Sequence, residues 1–225
     1  MNSTQTRSKP RRASIEAQRA SLLDAASEML ADGGPEALSL RKLAQAAGTS
    51  TMVIYTAFGG KDGLVAALYD EAFERMAQMQ ESVPRPQNPL QWLAGLGAAY
   101  RQFALTCPAY YALMISAILP LSQMPVKEDE PVARGIARQR AYRSLHDCVT
   151  ACQQAGYITK EIGPAEVTAA LWATVHGHVS LELAGFHETP EEAERRFVTV
   201  SRAVVSGLLT PTGRTAWKKI TGGTA

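Results

Sequence analysis

The sequence predicts an all-α protein with a small N-terminal domain and a larger helical one. No segment alternates apolar and polar residues between Asn-Gly or Asp-Gly turns, which is the pattern expected of β-hairpins. Apolar residues recur instead at helical spacing, and glycines and prolines separate the runs. A linker that contains Pro84, Pro86 and Pro89 divides short N-terminal segments from longer ones after it.

The N-terminal part is predicted to contain three short helices and the start of a long fourth. The first covers roughly residues 14–31, and the glycine pair before Pro35 ends it. Ser39 can cap the second helix, "LRKLAQAAG", which stops at Gly48. The third lies in "TSTMVIYTAFGG", and the fourth runs over about 61–82.

The segments after the linker are longer. Residues 120–131 contain three prolines and an acidic cluster, so they predict an exposed loop. Several glycines follow Thr210, and they predict a frayed tail. The predicted helices of this part span 89–106, 108–118, 132–155, 164–186 and 190–209. The predicted division is an arm (1–13), a small helical domain (14–62), a larger body (63–210) and a flexible tail (211–225).

Positive charge is concentrated at the N-terminus. The formal net charge of the chain is only +2, which argues against a surface that is basic all over. The first thirteen residues hold Arg7, Lys9, Arg11 and Arg12 without any acidic residue. This arm could enter a DNA minor groove, or it could be a disordered tail that contacts nothing, and both interpretations stay open.

The expected compartment is the cytoplasm. No apolar run approaches the roughly 18 residues of a membrane span, and the polar N-terminus lacks the apolar core of a signal peptide. The three cysteines, Cys107, Cys148 and Cys152, are an odd number without the spacing of a disulfide framework. Reduced thiols and the absence of a membrane partner are therefore expected.

The second and third helices form the pattern of a helix-turn-helix. A short turn that contains Gly48 joins them, and Ile54 and Phe58 point together toward the first helix. Met52 and Val53 fall on the opposite side, although no charged residue occurs between Thr49 and Gly60. Such an apolar surface is explained either by burial under the next domain or by docking on DNA.

The stretch "SLRKLAQAAGTSTMVIYTAFGGKDGL" resembles the tetracycline-repressor (TetR) family, and the resemblance covers about residues 14 to 70. It implies a three-helix, helix-turn-helix DNA-binding head, a long fourth helix, a larger ligand-binding and dimerisation body, and a homodimer. Thr56 and Ala57 replace the aromatic residue and histidine that usually follow the tyrosine in the family. The DNA-contacting positions implied by the resemblance are Arg41, Thr51, Met52, Val53, Tyr55, Thr56 and Lys61.

The attraction to a double-stranded DNA operator must come from the neighbours of the uncharged helix. Arg41, Lys42, Lys61 and the arm can neutralise phosphates, and the amides at helix starts add anion sites. Met52 and Val53 suit thymine methyl groups, whereas an arginine suits guanine O6 and N7.

The last two predicted body helices indicate a dimer interface. Helix 164–186 has a stripe of small residues that would let another helix approach closely. Helix 190–209 has apolar residues on more than one side, which is too much for the outer helix of a monomer. Trp172, His176 and Gly177 also resemble the "WHG" type of TetR C-terminal domain. The small stripe consists of Ala169, Ala173, Gly177, Ser180 and Ala184.

Aromatic and polarizable side chains gather in the body. They predict either an apolar effector cavity with a few polar groups or an ordinary aromatic core whose polar tips are hydrogen-bonded. The candidate effector residues are Tyr100, Phe103, Tyr110, Tyr111, Met114, Tyr142, His146, Trp172 and His176. No metal or cofactor is expected, because the pairs His178/Glu182 and Cys148/Cys152 have no third ligand at a recognisable spacing.

These patterns favour a repressor that a small, largely apolar effector releases from a palindromic operator. A helical enzyme is one alternative, but the sequence has no Glu-x-x-His pair, no glycine-rich phosphate loop and no Gly-x-Ser-x-Gly motif. The expectation is therefore that the protein is not an enzyme. A DNA-binding protein without an effector is the second alternative.

Overall fold

The computed structural model describes residues 9–115 and 131–222, and these residues form ten helices and no β-strand. The all-α prediction is therefore confirmed. No helix in this described part of the chain is long and apolar enough to cross a membrane. The helices are α1 (Lys9–Ala37), α2 (Leu40–Ala46), α3 (Thr51–Phe58), α4 (Lys61–Glu81), α5 (Pro89–Thr106), α6 (Pro108–Ile115), α7 (Pro131–Gln154), α8 (Pro164–Leu183), α9 (Pro190–Leu208) and α10 (Pro211–Ile220).

Proline marks the start of every helix from α5 to α10. A proline fits the first helical turn because the missing N–H has no partner there and its φ is already helical. The side chains of Asn88, Thr189 and Thr210 add caps at the starts of α5, α9 and α10 by accepting hydrogen bonds from backbone N–H groups. These local signals explain why the predicted starts of the body helices lie within one residue of the observed ones.

The ends of α1 differ from the prediction. It begins at Lys9 rather than near Ser14, so part of the predicted arm is helical, while residues 1–8 lie outside the described residues. At its other end, Gly34 has a φ of 67° and breaks the helical path before Ala37. The predicted loop 120–131 also lies outside the described residues, except for Pro131 at the start of α7.

The chain divides into two compact units. The first, here called the head unit, holds the residues up to Phe73 and the segment that begins at Pro108. The second, the body unit, holds Glu74–Cys107 and the residues from Ala133 onward. The division falls inside α4, so the first half of this helix belongs to the head unit and the second half to the body unit.

The core of the head unit is built from α1 to α4. Helix α6 belongs to the same unit, because it packs on α1 and the hydroxyl of Tyr110 donates a hydrogen bond of 2.9 Å to Oδ1 of Asp24. The buried apolar side chains of α1, α2 and α3 are Leu22, Leu23, Ala26, Leu30, Leu43, Ala44, Ile54 and Phe58.

The core of the body unit joins α5, α7, α8 and α9. Arg140 of α7 also holds the second half of α4, since it donates hydrogen bonds of 2.6 and 2.8 Å to Glu81 and one of 2.7 Å to Glu74. The fully or nearly buried members of this core are Leu90, Trp92, Leu93, Leu96, Cys148, Val149, Cys152, Ile158, Val167, Leu171, Val205 and Leu209.

The predicted flexible tail is wrong for residues 211–220, which form α10. The hydroxyl of Thr210 donates to the carbonyl oxygen of Gly156 at 2.6 Å and accepts from the N–H of Gly213 at 3.0 Å. A Cβ atom on Gly213 would overlap the backbone of Tyr157, so only glycine permits this close approach. Ala216, Trp217 and Ile220 pack against the body core, and residues 223–225 lie outside the described residues.

Candidate functional site

The turn between α2 and α3 has a well-defined local geometry. The side chain of Ser39 accepts a hydrogen bond of 3.5 Å from the N–H of Lys42 and caps α2. Gly48 lies in the turn with a φ of 60°, a conformation that residues with a side chain rarely adopt. The N–H of Thr49 then donates to the carbonyl oxygen of Ala44 at 2.8 Å, which fixes where α3 begins. The predicted helix-turn-helix head is confirmed.

Helix α3 has one buried face and one exposed face. Ile54 is completely buried and Phe58 nearly so, while Met52 is 71% exposed and Tyr55 is 55% exposed. Thr51 and Thr56 are exposed as well, and Val53 is half-buried. Within the head unit, an exposed methionine therefore lies on the same short helix as an exposed tyrosine, which is unusual for a surface in contact with water.

The hydroxyl of Thr56 is engaged within α3. It donates a hydrogen bond of 2.9 Å to the carbonyl oxygen of Met52, one turn earlier. The oxygen of this hydroxyl can still accept from a base edge. Its methyl group adds to the apolar character of the exposed face.

Exposed cationic side chains lie on the helices that precede and follow α3. Arg41 and Lys42 are exposed on α2, and Lys61 is exposed at the start of α4. A further cation, Arg19 of α1, was missed from the sequence: its guanidinium carbon lies 5.0 Å from the centre of the Phe58 ring. The signal available in the sequence was that Arg19 lies one helical turn before Leu22 and Leu23, and so near the face of α1 that is buried. The head unit thus combines an apolar surface with nearby groups that can attract phosphates.

The body unit contains a continuous row of aromatic rings, which we call the aromatic row. On α7, Tyr142 stacks on His146 with ring centres 6.4 Å apart. Tyr142 then meets Trp172 of α8 at 6.3 Å, and Trp172 meets His176 at 6.2 Å. Nδ1 of His176 lies 2.9 Å from the hydroxyl of Tyr100 on α5, within hydrogen-bond distance. Five of the nine predicted effector residues are therefore brought together.

The aromatic row is apolar and open at one end. Trp172 is 42% exposed and Tyr142 is 38% exposed, whereas Tyr100 and His176 are partly buried. Burial lowers the pKa of His176, so its imidazole is neutral near pH 7. The row can therefore offer ring faces to an apolar molecule and neutral hydrogen-bonding groups at its inner end.

The other four predicted effector residues lie elsewhere. Phe103 is buried in the body unit at 1% exposure. Tyr110, Tyr111 and Met114 belong to α6 in the head unit, where Tyr110 bonds to Asp24 of α1. The structure thus gives Tyr110 a definite role in holding α6 to α1.

Helices α8 and α9 present small and apolar side chains at the surface. Ala169, Ala173, Gly177 and Ala184 of the predicted small stripe are all exposed, and Ser180 is half-buried. On the same two helices Leu181 is 47% exposed, Val198 38% and Val200 40%. Small exposed side chains on neighbouring helices allow close packing against another helix pair.

The buried side of α8 carries a polar cluster that includes His178 and Glu182, the pair considered above as possible metal ligands. Arg101 makes two hydrogen bonds, of 2.7 and 2.8 Å, to the carboxylate of Glu182. His178, also buried, lies 3.0 Å from the carbonyl oxygen of Ala193 and stacks on His187 with ring centres 5.0 Å apart. Burial is the largest cause that lowers the pKa of His178, and His187 acts in the same direction.

Acidification is expected to destabilise the body unit. The unfolded chain takes up protons near the ordinary histidine pKa of 6.5, whereas His176 and His178 resist protonation in the folded chain. Their contribution is complete above pH 6.5 and is lost as the pH falls below it. The free energy of unfolding, measured by urea denaturation, should fall more for wild type than for His178→Gln between pH 7 and 5.5. Parallel pH curves for the two proteins would contradict this.

The chain is similar to several solved structures. A protein of unknown function from Rhodococcus sp. RHA1 is 25% identical with a TM-score of 0.70, over 86% of this chain and 96% of that one. The TetR family transcriptional regulator PfmR from Thermus thermophilus is 18% identical with a TM-score of 0.65, over 82% and 97%. A TetR family transcription regulator from Marinobacter aquaeolei VT8 is 21% identical with a TM-score of 0.65, over 88% and 98%.

Two family models match different parts of the sequence. Residues 22–68 match the model described as bacterial regulatory proteins, tetR family. Residues 93–204 match the model described as tetracyclin repressor-like, C-terminal domain, and this range includes most of α5 and all of α8. No curated protein is similar enough to the chain to count as a match. The two ranges coincide with the helix-turn-helix and with the helices that carry the aromatic row.

Proposed function

Since the chain belongs to the TetR family of bacterial regulatory proteins, we propose that it is a repressor that leaves a palindromic operator when a small, largely apolar molecule binds to its body. Members of this family are non-enzymatic, DNA-binding transcriptional regulators. The observation that carries the proposal is the exposed, uncharged face of α3, together with the exposed cations of α2 and of the start of α4.

The two kinds of residue in the head unit have different tasks in this proposal. Met52 and Val53 contact thymine methyl groups, Thr51, Tyr55 and Thr56 contact base edges or phosphates, and Arg41 contacts a guanine. Lys61 binds a phosphate at the start of α4, where the helix N-terminus adds to the attraction. The uncharged α3 therefore reads most of the sequence, Arg41 reads one guanine position, and the cations together supply most of the affinity.

Replacement of the two cations should have distinguishable effects. Arg41→Ala should weaken operator binding by about 1–3 kcal/mol and relax selectivity at one guanine position. Lys61→Ala should weaken binding to all sequences alike and lower the slope of log affinity against log salt concentration by about one. Fluorescence anisotropy on an operator and on single-base variants measures both effects. Lys160→Ala, at an exposed site in the body unit, is the control, and equal loss of selectivity in both variants would contradict the assignment.

The proposed repressor is a homodimer joined through α8 and α9. The exposed small residues of α8 and the exposed valines of α9 would be covered by a second copy of the same surface, and their size would let the helices approach closely. Two heads related by a two-fold axis match the two halves of an inverted repeat.

A wedge in this surface should separate the subunits. In the single chain a Cβ atom at Gly177 meets no atom within 4 Å, so a larger side chain fits the monomer. Gly177→Leu should therefore fold normally yet sediment as a monomer at micromolar concentration, with at least about tenfold weaker operator binding. Gly177→Ala, which keeps the residue small, should remain a dimer. A Gly177→Leu dimer that still binds the operator would place the interface elsewhere.

The aromatic row is the proposed effector site. Its rings come from α5, α7 and α8, and its polar groups are the hydroxyl of Tyr100 and the neutral imidazole of His176. Arg140 lies on the same helix as Tyr142 and holds α4, the helix that begins beside α3. An effector releases DNA only if it binds the DNA-incompetent arrangement more tightly than the competent one.

Loss of the central ring should uncouple the effector from DNA release. Trp172→Ala should keep operator affinity and lose the response to an effector found by a thermal-shift screen of metabolites, because Trp172 contacts rings in the body unit only. His176→Phe keeps the ring but removes the partner of Tyr100, so it should weaken effector binding by about 1–3 kcal/mol if the effector uses that polar group. Normal responses in both variants would mean that the effector site lies elsewhere. A lower melting temperature of both variants would mean that these residues form part of the hydrophobic core.

A further inference from the structure

The body unit has a recess of about 590 Å³ that is separate from the aromatic row. Its volume lies within the range of about 300–1,000 Å³ that is usual for small-molecule sites. None of the predicted effector residues contributes to its wall. The recess is lined by Asn88, Tyr157, Pro211, Thr212, Thr215, Ala216 and Lys219.

One face of α10 forms most of the wall. Thr212, Thr215 and Lys219 follow one another at spacings of three and four, so they line the same side of the helix. The rest of the wall is Asn88, which caps α5, and Tyr157, which follows α7. Another face of α10 packs into the body core through Trp217 and Ile220, so the docking of this helix sets the position of the wall.

The polar groups of the recess favour an anion. Lys219 supplies a positive charge, and no carboxylate belongs to the lining. The carbonyl oxygen of the Asn88 side chain accepts from the N–H of Leu90 at 3.0 Å, so its amide nitrogen remains as a donor without a partner among the described residues. The hydroxyls of Tyr157 and Thr212 can donate as well.

The rest of the lining is apolar. Pro211, Ala216 and the ring of Tyr157 give flat or small hydrocarbon surfaces next to these donors. We propose that the recess binds a small organic carboxylate with an aromatic or other apolar body, its carboxylate held by Lys219 and Asn88 and its body against Pro211, Ala216 and Tyr157. Charge complementarity and the mixed lining select this class over a neutral or cationic molecule.

The test uses the 225-residue chain without DNA, and its two probes are naphthalene-2-carboxylate and the neutral naphthalene-2-methanol. The chain has three tryptophans, so a ¹⁵N–¹H spectrum shows three indole signals, each assignable by a Trp→Phe variant. Trp217 lies on α10 next to the recess and Trp172 lies in the aromatic row. The carboxylate should shift the signal of Trp217 and leave that of Trp172 in place, and the alcohol should bind more weakly.

Variants of α10 separate a built site from general charge attraction. Lys219→Gln should weaken the carboxylate about threefold to tenfold and leave the alcohol unchanged. Lys218→Gln removes the same charge from the neighbouring position outside the lining and should have no effect. Thr215→Phe, at an exposed lining position, should block both probes while the Trp217 signal of the free protein shows that α10 is still docked.

Three results would overturn the proposal: no shift of Trp217 at millimolar probe, equal weakening by Lys218→Gln and Lys219→Gln, or a shift of Trp172 alone. The assay contains no operator, so a negative result leaves the regulatory function untouched. A failure of DNA binding would equally leave this site untouched.

Discussion

The head unit depends on the burial of one face of a helix that is only eight residues long. Ile54 and Phe58 are buried in the core of the head unit, and this fixes the rotation of α3 about its axis. The residues on the opposite face must therefore point away from that core. Met52 and Tyr55 are exposed as a direct consequence. An apolar exposed face is costly in water, and contact with the methyl-bearing edge of the DNA major groove would offset that cost. Helix α4 begins at Lys61, with two residues between it and the end of α3 along the chain.

The helices of this fold were largely predictable because their limits are set by local chemistry. Proline at the first position and small polar caps act within a few residues, so sequence inspection finds them. The exception was α10, whose region holds several glycines that suggest a frayed end. Gly213 is instead required by the close approach to Tyr157, and the helix is stabilised by Trp217 and Ile220 in the body core. Such tertiary contacts leave little trace in the local sequence.

The candidate sites were predictable to different degrees. The exposed side of α3 followed from helical periodicity alone, because every position on a short helix has a calculable direction. The aromatic row required knowledge of which helices face each other. The predicted residues of α5, α7 and α8 do contact one another. Those of α6 do not join them, because α6 packs on α1, and nothing in the sequence of α6 indicates that partner. Arg19, which lies over the ring of Phe58, depends on a contact between α1 and α3 and was missed for the same reason.

In the complex that we propose, the uncharged α3 reads the thymine positions of the operator, Arg41 reads a guanine, and the cationic side chains supply most of the affinity. The most direct measurement selects an operator from random DNA, replaces each thymine with uracil in turn, and records affinity over a range of salt concentrations. For the wild-type protein, uracil at the positions that contact α3 should lower the affinity and leave the salt slope unchanged, because only a C5-methyl group is lost. For Met52→Ala, the affinity should be the same with thymine and with uracil at the positions that Met52 contacts. If uracil lowers the affinity at no position, or if it changes the salt slope and not the affinity at particular positions, then α3 does not read thymine methyl groups.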